Sequence, residues 1–168
     1  MSFEFSILNL IQGLRTPLFD HIVLFITSLA NYVWYILIMG LLINKPTRKI
    51  GIILAVAMIL QYLINGGLLK HLFTRVRPCN VDDTIELLIK RPKGFSFPSG
   101  HSAAAFCAVG VLYGVKMKKL LWTAFVLACL IAFSRLYLYV HFPTDVLAGA
   151  LCGFFIGYGV LRAFDLKK

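Results

Sequence analysis

Three groups of ionisable residues stand at or beside the ends of long apolar runs, where charge is costly and usually functional. Lys70 closes one such run, and Arg77-Pro78 follows seven residues on. That spacing is about two helical turns, so both cations can point the same way and suit a phosphate. The proline then disfavours helix at the residue before it and turns the chain. The same residues also fit two cations snorkelling to lipid headgroups. Pro98-Ser99-Gly100-His101 opens a second apolar run. Ser99 suits a helix cap, Gly100 has no side chain to block a ligand, and the free amides of a helix start bind anions. His101 stands in that first turn, within reach of a bound phosphate; an ordinary cap beside an interfacial histidine is the alternative.

The third group is Ser134-Arg135, then His141 and Asp145. Arg135 lies near the end of an apolar run and is a costly cation without a partner. Pro143 suits the first turn of a helix. His141 then falls just before that helix and Asp145 one turn later, within expected hydrogen-bonding reach. A carboxylate on one ring nitrogen fixes the tautomer and leaves the other nitrogen nucleophilic. A purely structural His–Asp pair remains open on these residues alone. Together the three groups offer three cations, a helix-start amide site, two histidines and one carboxylate.

The elements that must position them are apolar helices. Of the 168 residues, 60% are hydrophobic and only 14% charged. Mean hydropathy is +0.84. A soluble domain of this size needs more polar surface, so the chain reads as an all-α, polytopic membrane bundle forming one domain over residues 1–168. Residues 3–14 place Phe3, Ile7, Leu10, Ile11 and Leu14 at helical spacing, too short to span and suited to lying in the interface. Thr16-Pro17 starts a first span to about Ile43, with a possible break at Ser28–Asn31. Further spans are expected at about 50–73, from Ser99 or Gly100 to Val115, 120–139 and 143–164. That makes about five transmembrane helices plus the N-terminal one. No cleavable leader pattern is visible, so the spans are expected to direct insertion.

The net charge of +10 does not point to nucleic acid. Basic residues cluster in links between spans, as the positive-inside rule expects. Links 44–49 and 116–119 and the C-terminal lysines should face the cytoplasm. The N-terminus, the polar stretch 74–97 and all three motif groups then lie outside. Lys90, Arg91 and Lys93 in that stretch oppose the rule; a second phosphate or anionic lipid would account for them. Cys107, Cys129 and Cys152 lie in apolar runs and are expected to pack, with Cys79 alone in a loop; neither a metal site nor a disulfide framework is implied.

The ordered pattern Lys-x6-Arg-Pro, Pro-Ser-Gly-His, Ser-Arg-x5-His-x3-Asp resembles that of the type 2 phosphatidic acid phosphatase superfamily. It is complete in Lys70, Arg77, Pro78, Pro98, Ser99, Gly100, His101, Ser134, Arg135, His141 and Asp145. The resemblance covers residues 70–145 by motif. It implies that His141 attacks phosphorus, that Asp145 orients it, and that His101 protonates the leaving oxygen and then activates water. It further implies that Lys70, Arg77, Arg135, Ser99 and the Gly100 amide hold the phosphoryl oxygens, with no metal or other cofactor. Members of the membrane branch often have six spans, whereas five plus an interfacial helix are expected here, the departure falling at the N-terminal span, remote from the motifs. A membrane transporter or lipid-binding protein would need no nucleophile–acid pair. Vanadium haloperoxidases share the anion cradle but are soluble. A site at the outer interface favours a lipid phosphate or diphosphate; undecaprenyl diphosphate, phosphatidylglycerophosphate and phosphatidic acid all qualify.

Overall fold

Residues 3–115 and 117–165 are described in the computed structural model of the chain, and they are helical with connecting turns. The expected basic residues Lys116, Lys167 and Lys168 lie outside the described residues. α1 (Phe3–Gln12) is followed by α2 (Pro17–Ala30) and α3 (Val33–Ile43). Thr16 caps α2, its hydroxyl accepting from the Phe19 amide, with Pro17 in the first turn. α2 and α3 meet at a 42° bend and are together long and apolar enough for one broken span. The break expected at Ser28–Asn31 therefore exists, and it places Asn31 at the end of α2.

A 3-10 turn (Lys45–Thr47) leads into α4 (Arg48–Gln61), a π-helical segment (Tyr62–Leu69), α5 (Lys70–Phe73) and α6 (Pro78–Val81). The apolar run at about 50–73 predicts an uninterrupted span here. Asn65 donates to the Gln61 carbonyl at 3.2 Å. Gly66 and Gly67 follow and hold a helix weakly. The widened π turn is the outcome, a feature often found next to functional sites.

α7 (Gly100–Gly114), α8 (Lys118–Tyr137) and α9 (Pro143–Asp165) complete the bundle. The run Lys45–Val81, α8 and α9 are each long and apolar enough to cross a membrane, and the bent pair α2–α3 makes a fourth span. The third expected span, α7, has only 15 residues, about 22 Å at the usual helical rise. It is the central helix, packed by α3, α4, α8 and α9, so it need not match the hydrocarbon thickness itself. Leu18, Phe25, Ile36, Leu63, Trp122 and Phe155 are exposed around the outside, the surface of a bundle solvated by lipid.

Lipid tails are as apolar as leucine, so helices in a bilayer associate by close packing more than by hydrophobic expulsion. α9 meets α7 along Gly149, Gly153 and Gly157. A Cβ there would come within 2.4, 2.0 and 2.1 Å of the carbonyl oxygens of Ser99, Ala103 and Cys107. Only hydrogen fits in that seam. Its upper end fixes the site: the Ser99 amide donates to the Asp145 carbonyl at 2.9 Å, which clamps the start of α9 onto the start of α7.

α1 is more than an interfacial float. Leu8 and Ile11 are buried, and the helix packs on α8 and α9. Gln12 donates to the Tyr137 carbonyl at 2.8 Å. The Tyr139 hydroxyl donates to Asn9 at 3.0 Å. Two cysteine expectations fail: Cys79 is buried on α6 instead of lying free in a loop, and Cys129 is exposed on α8, so of the three in apolar runs only Cys107 is fully packed.

Candidate active site

The α2–α3 bend, the run from α4 to α5, the start of α7 and the turn after α8 converge on one cavity of about 700 Å³. Lys70, Arg77, Gly100, His101 and His141 line it. Lys70 and Arg77 reach it by different means than a shared helix. α5 stops at Phe73, because Thr74 adopts a left-handed φ of 42°. Arg77 then follows in extended conformation ahead of Pro78. The Lys70 ammonium donates to the Phe95 carbonyl at 2.8 Å. Arg77 Nε donates to the Gly94 carbonyl at 3.1 Å and its Nη1 to the Val140 carbonyl at 2.9 Å. Loop 94–97 therefore holds both cations from behind.

His141 is presented by the turn between α8 and α9. Tyr139 stands in the left-handed region at φ 58°, where a non-glycine residue persists only if its surroundings hold it. Its hydroxyl bonds to Asn9 and Asp82 supply that hold. Arg77 Nη1 lies 3.2 Å from His141 Nε2. Arginine only donates, so Nε2 carries the lone pair and the ring proton sits on Nδ1. Nδ1 faces Asp145 Oδ2 at 3.6 Å. That gap is longer than the hydrogen bond the sequence spacing predicts and leaves Nδ1 buried without a hydrogen-bond partner among the described residues. The carboxylate is drawn elsewhere: Oδ2 accepts from Ser96 Oγ and from the Phe142 amide at 2.8 Å, and Oδ1 from Arg75 at 2.7 Å. Burial, with the Arg77 and Lys70 cations, pushes the His141 imidazole down to about 4 against the opposing pull of Asp145. The ring is thus neutral at physiological pH.

Ser99 caps α7, its hydroxyl accepting from the Ser102 amide at 3.4 Å and from Ser102 Oγ at 2.9 Å. Gly100 leaves open space where a Cβ would stand. His101 Nε2 lies 3.3 Å from Asn31 Oδ1, so the broken first span delivers a partner to this histidine. Ser99, Arg135 and Asp145 are buried behind the cavity wall and do not line it. Arg135 donates to Ser134 Oγ from Nε at 3.1 Å and from Nη2 at 2.9 Å, and also to Thr27. Lys90, Arg91 and Lys93 are exposed and do not line the cavity either; Arg91 donates to Asn80 at 3.3 Å.

Sequence reasoning missed Asn31, Arg75, Ser96 and Glu4. The alternation Arg75-Val76-Arg77 was visible, but only the residue before proline was picked out. Glu4 looked like one polar position of an amphipathic helix. The Gly149-x3-Gly153-x3-Gly157 repeat is a small-residue packing signature that spacing alone could have found.

Residues 50–168 match the PAP2 superfamily. The chain is 30% identical to an undecaprenyl-diphosphatase of Sulfolobus acidocaldarius over 159 residues, covering 94% of this chain and 77% of that protein. Among solved structures it resembles Aquifex aeolicus LpxE, with a TM-score of 0.84, 31% identity and 96% of each chain covered. It also resembles a transmembrane PAP2-type phosphatidylglycerolphosphate phosphatase from Bacillus subtilis, with a TM-score of 0.77, 30% identity, and 96% of this chain and 84% of that chain covered. A cation-lined histidine cavity in an all-helical multi-pass bundle, with the family's sequence around it, leaves one assignment: the chain belongs to the PAP2 superfamily and is a membrane phosphatase.

Proposed function

We propose that this enzyme removes phosphate from a lipid phosphate or diphosphate through a phosphohistidine formed on His141. One observation carries the reading. His141 is held neutral with its Nε2 lone pair turned to Arg77 in the cavity and its Nδ1 turned to a buried carboxylate. An incoming phosphoryl group takes the place of the Arg77 contact. Nε2 attacks phosphorus as the bond to the leaving oxygen breaks, and His101 gives that oxygen its proton. Water then attacks the phosphohistidine, His101 takes the water's proton, and phosphate leaves. A dianionic phosphate brings the negative charge that lets His101 hold a proton among three cations.

Lys70, Arg77 and the Gly100 amide meet the phosphoryl oxygens. Arg135 and Ser99 belong to the same cradle, with Arg135 reaching phosphate by leaving its Thr27 contact. Charge stabilisation of this kind is the main task in phosphoryl transfer. Among the described residues no group of three or more His, Cys, Asp or Glu is placed to hold a metal ion, and the cations supply the charge instead.

The substrate's lipid character is supported by the other wall of the cavity. Trp34, Tyr35, Ile38, Ile59 and Tyr62 line it, and Tyr35, Ile59 and Tyr62 are also exposed to the outside of the bundle. A phosphate at the polar end would leave its tail running out between α3 and the π segment. The relatives' names point to undecaprenyl diphosphate and phosphatidylglycerophosphate, and phosphatidic acid shares the chemistry. Lys90, Arg91 and Lys93 are exposed outside the cavity lining, where a second phosphate or anionic lipid would meet them. The site lies at the opposite end of α7 and α8 from the basic link before α8, which supports an active site on the extracytoplasmic face of the cell membrane.

The test is phosphate release by purified protein in detergent against these three lipids and a water-soluble aryl phosphate, with chelator present. Turnover of at least one lipid far above the aryl phosphate is expected. Activity abolished by chelator and restored by one metal would overturn the mechanism.

A further inference from the structure

Asp145 Oδ1 is fully buried, and among the described residues Arg75 is its hydrogen-bond donor, at 2.7 Å. The other arm of the same guanidinium meets Glu4 Oε2 at 2.5 Å. Glu4 is in turn fixed from the start of α9, its Oε1 accepting from the Thr144 hydroxyl at 2.7 Å and the Thr144 amide at 3.3 Å. Arg75 Nη1 also donates to that hydroxyl at 2.7 Å. The guanidinium carbon sits 4.1 Å above the Phe142 ring, and the Phe142 amide is one of the two donors to Asp145 Oδ2. Arg75 is therefore gripped on both arms and one face, and what it grips is the carboxylate facing His141.

We infer that Glu4 and Arg75 are positioning residues of the active site: α1, through Glu4, holds Arg75, and Arg75 fixes the Asp145 carboxylate opposite His141 Nδ1. The inference rests on the reading of His141 as the nucleophile. A planar guanidinium suits the role, because one cation can serve two carboxylates in fixed directions while a lysine cannot. Without Arg75, Oδ1 is a buried anionic oxygen with no donor among the described residues. Such a group reorients or takes up a proton, and a neutral or turned Asp145 no longer fixes the His141 tautomer. α1 thereby becomes part of the catalytic apparatus, although none of its residues lines the cavity.

The alternative is that these contacts only dock α1. Gln12 provides the control, because its bond to the Tyr137 carbonyl ties α1 to α8 without reaching Asp145. The experiment measures kcat and KM of the full-length protein in detergent for Arg75→Ala, Arg75→Lys, Glu4→Gln, the Glu4→Gln/Arg75→Ala pair, Gln12→Ala and His141→Ala. Removing an outer partner that orients a reacting side chain costs roughly 10- to 100-fold in activity. Arg75→Ala should lose that much in kcat with KM within about twofold, and Arg75→Lys should recover part of it. Glu4→Gln should lose less, and the double variant should be no worse than Arg75→Ala, because the two act in series. Gln12→Ala should keep wild-type kcat. Wild-type kcat in both Arg75→Ala and Glu4→Gln would overturn the inference, as would additive losses or an equal loss in Gln12→Ala. If Arg75→Ala fails to fold, the near-isosteric Glu4→Gln decides alone by its kcat. Full turnover in His141→Ala would instead sink the nucleophile assignment on which the inference stands.

Discussion

Replacing Asp145 by asparagine removes one charge and almost no volume, so its effect can be worked from the hydrogen bonds alone. The carboxylate accepts from Ser96 and the Phe142 amide on Oδ2 and from Arg75 on Oδ1, and Oδ2 faces His141 Nδ1 at 3.6 Å. An amide cannot satisfy all of these. With its nitrogen on the Arg75 side, two donors face each other in a fully buried place. With its nitrogen on the other side, it opposes the Phe142 N–H and favours an acceptor at His141 Nδ1. The ring proton then moves to Nε2, and the nucleophilic lone pair is gone. The comparable carboxylate-to-amide change beside a catalytic histidine in serine proteases costs about 10,000-fold in kcat through the wrong tautomer. Here the carboxylate stands farther from the ring, so a loss of roughly 100- to 10,000-fold is expected, or about 3–5 kcal/mol in the barrier. The assay is steady-state release of phosphate from lipid and aryl phosphate at pH 7, with thermal unfolding in detergent followed alongside. KM should change little. A kcat within threefold of wild type in a folded Asp145→Asn protein would refute the argument that Asp145 sets the His141 tautomer.

Other outcomes follow from the same geometry. His141 must be deprotonated to attack, and its folded-state pKa is pushed down to about 4, so kcat/KM should rise with pH through about 4 where an unperturbed histidine would place the limb near 6.5; a His141-dependent limb near 6.5 would contradict the buried, cation-flanked setting. Gly153→Ala puts a Cβ 2.0 Å from the Ala103 carbonyl oxygen and should destabilise the bundle by about 1–3 kcal/mol, read as a lower Tm in detergent. Buried Cys79 is a poor topology probe, so cysteines placed at the exposed positions Lys93 and Lys118 should label with a membrane-impermeant reagent from outside at 93 only; the reverse pattern would invert the proposed orientation.

What was legible in the sequence was what depends on spacing and polarity. Apolar runs marked the helices, Thr16-Pro17 and Ser99 marked two caps, and the break before Asn31 showed as polar residues inside a span. The motif residues Lys70, Arg77, Gly100, His101 and His141 were picked out by charge and type at span ends, and they do line one cavity. What could not be read was anything set by long-range contact. Arg75 owes its importance to Glu4 and Asp145, residues 71 and 70 positions away. Left-handed Thr74 and Tyr139 carry no local glycine signal; Tyr139 is held by its hydroxyl bonds to Asn9 and Asp82. Arg135, which the resemblance puts on phosphate, turns to Thr27 and Ser134, the hydroxyls that the packing of α2 on α8 brings within reach. The π segment hides for a related reason, since Asn65-Gly66-Gly67 is compatible with an ordinary helix and the widened turn shows only in the backbone.

The central claim is that His141 becomes covalently phosphorylated while His101 handles protons. The direct measurement is rapid-quench trapping of label from a radioactive aryl phosphate, assayed for the acid-labile, base-stable behaviour of phosphohistidine. Wild type should show transient label, and His141→Ala should show neither label nor turnover. His101→Ala should lose turnover by roughly 100- to 10,000-fold, the usual worth of acid–base assistance, yet still accumulate label, because water activation is impaired after the attack. Label retained in His141→Ala and absent from His101→Ala would reverse the two roles, and label absent even from wild type on the quench timescale would contradict covalent catalysis.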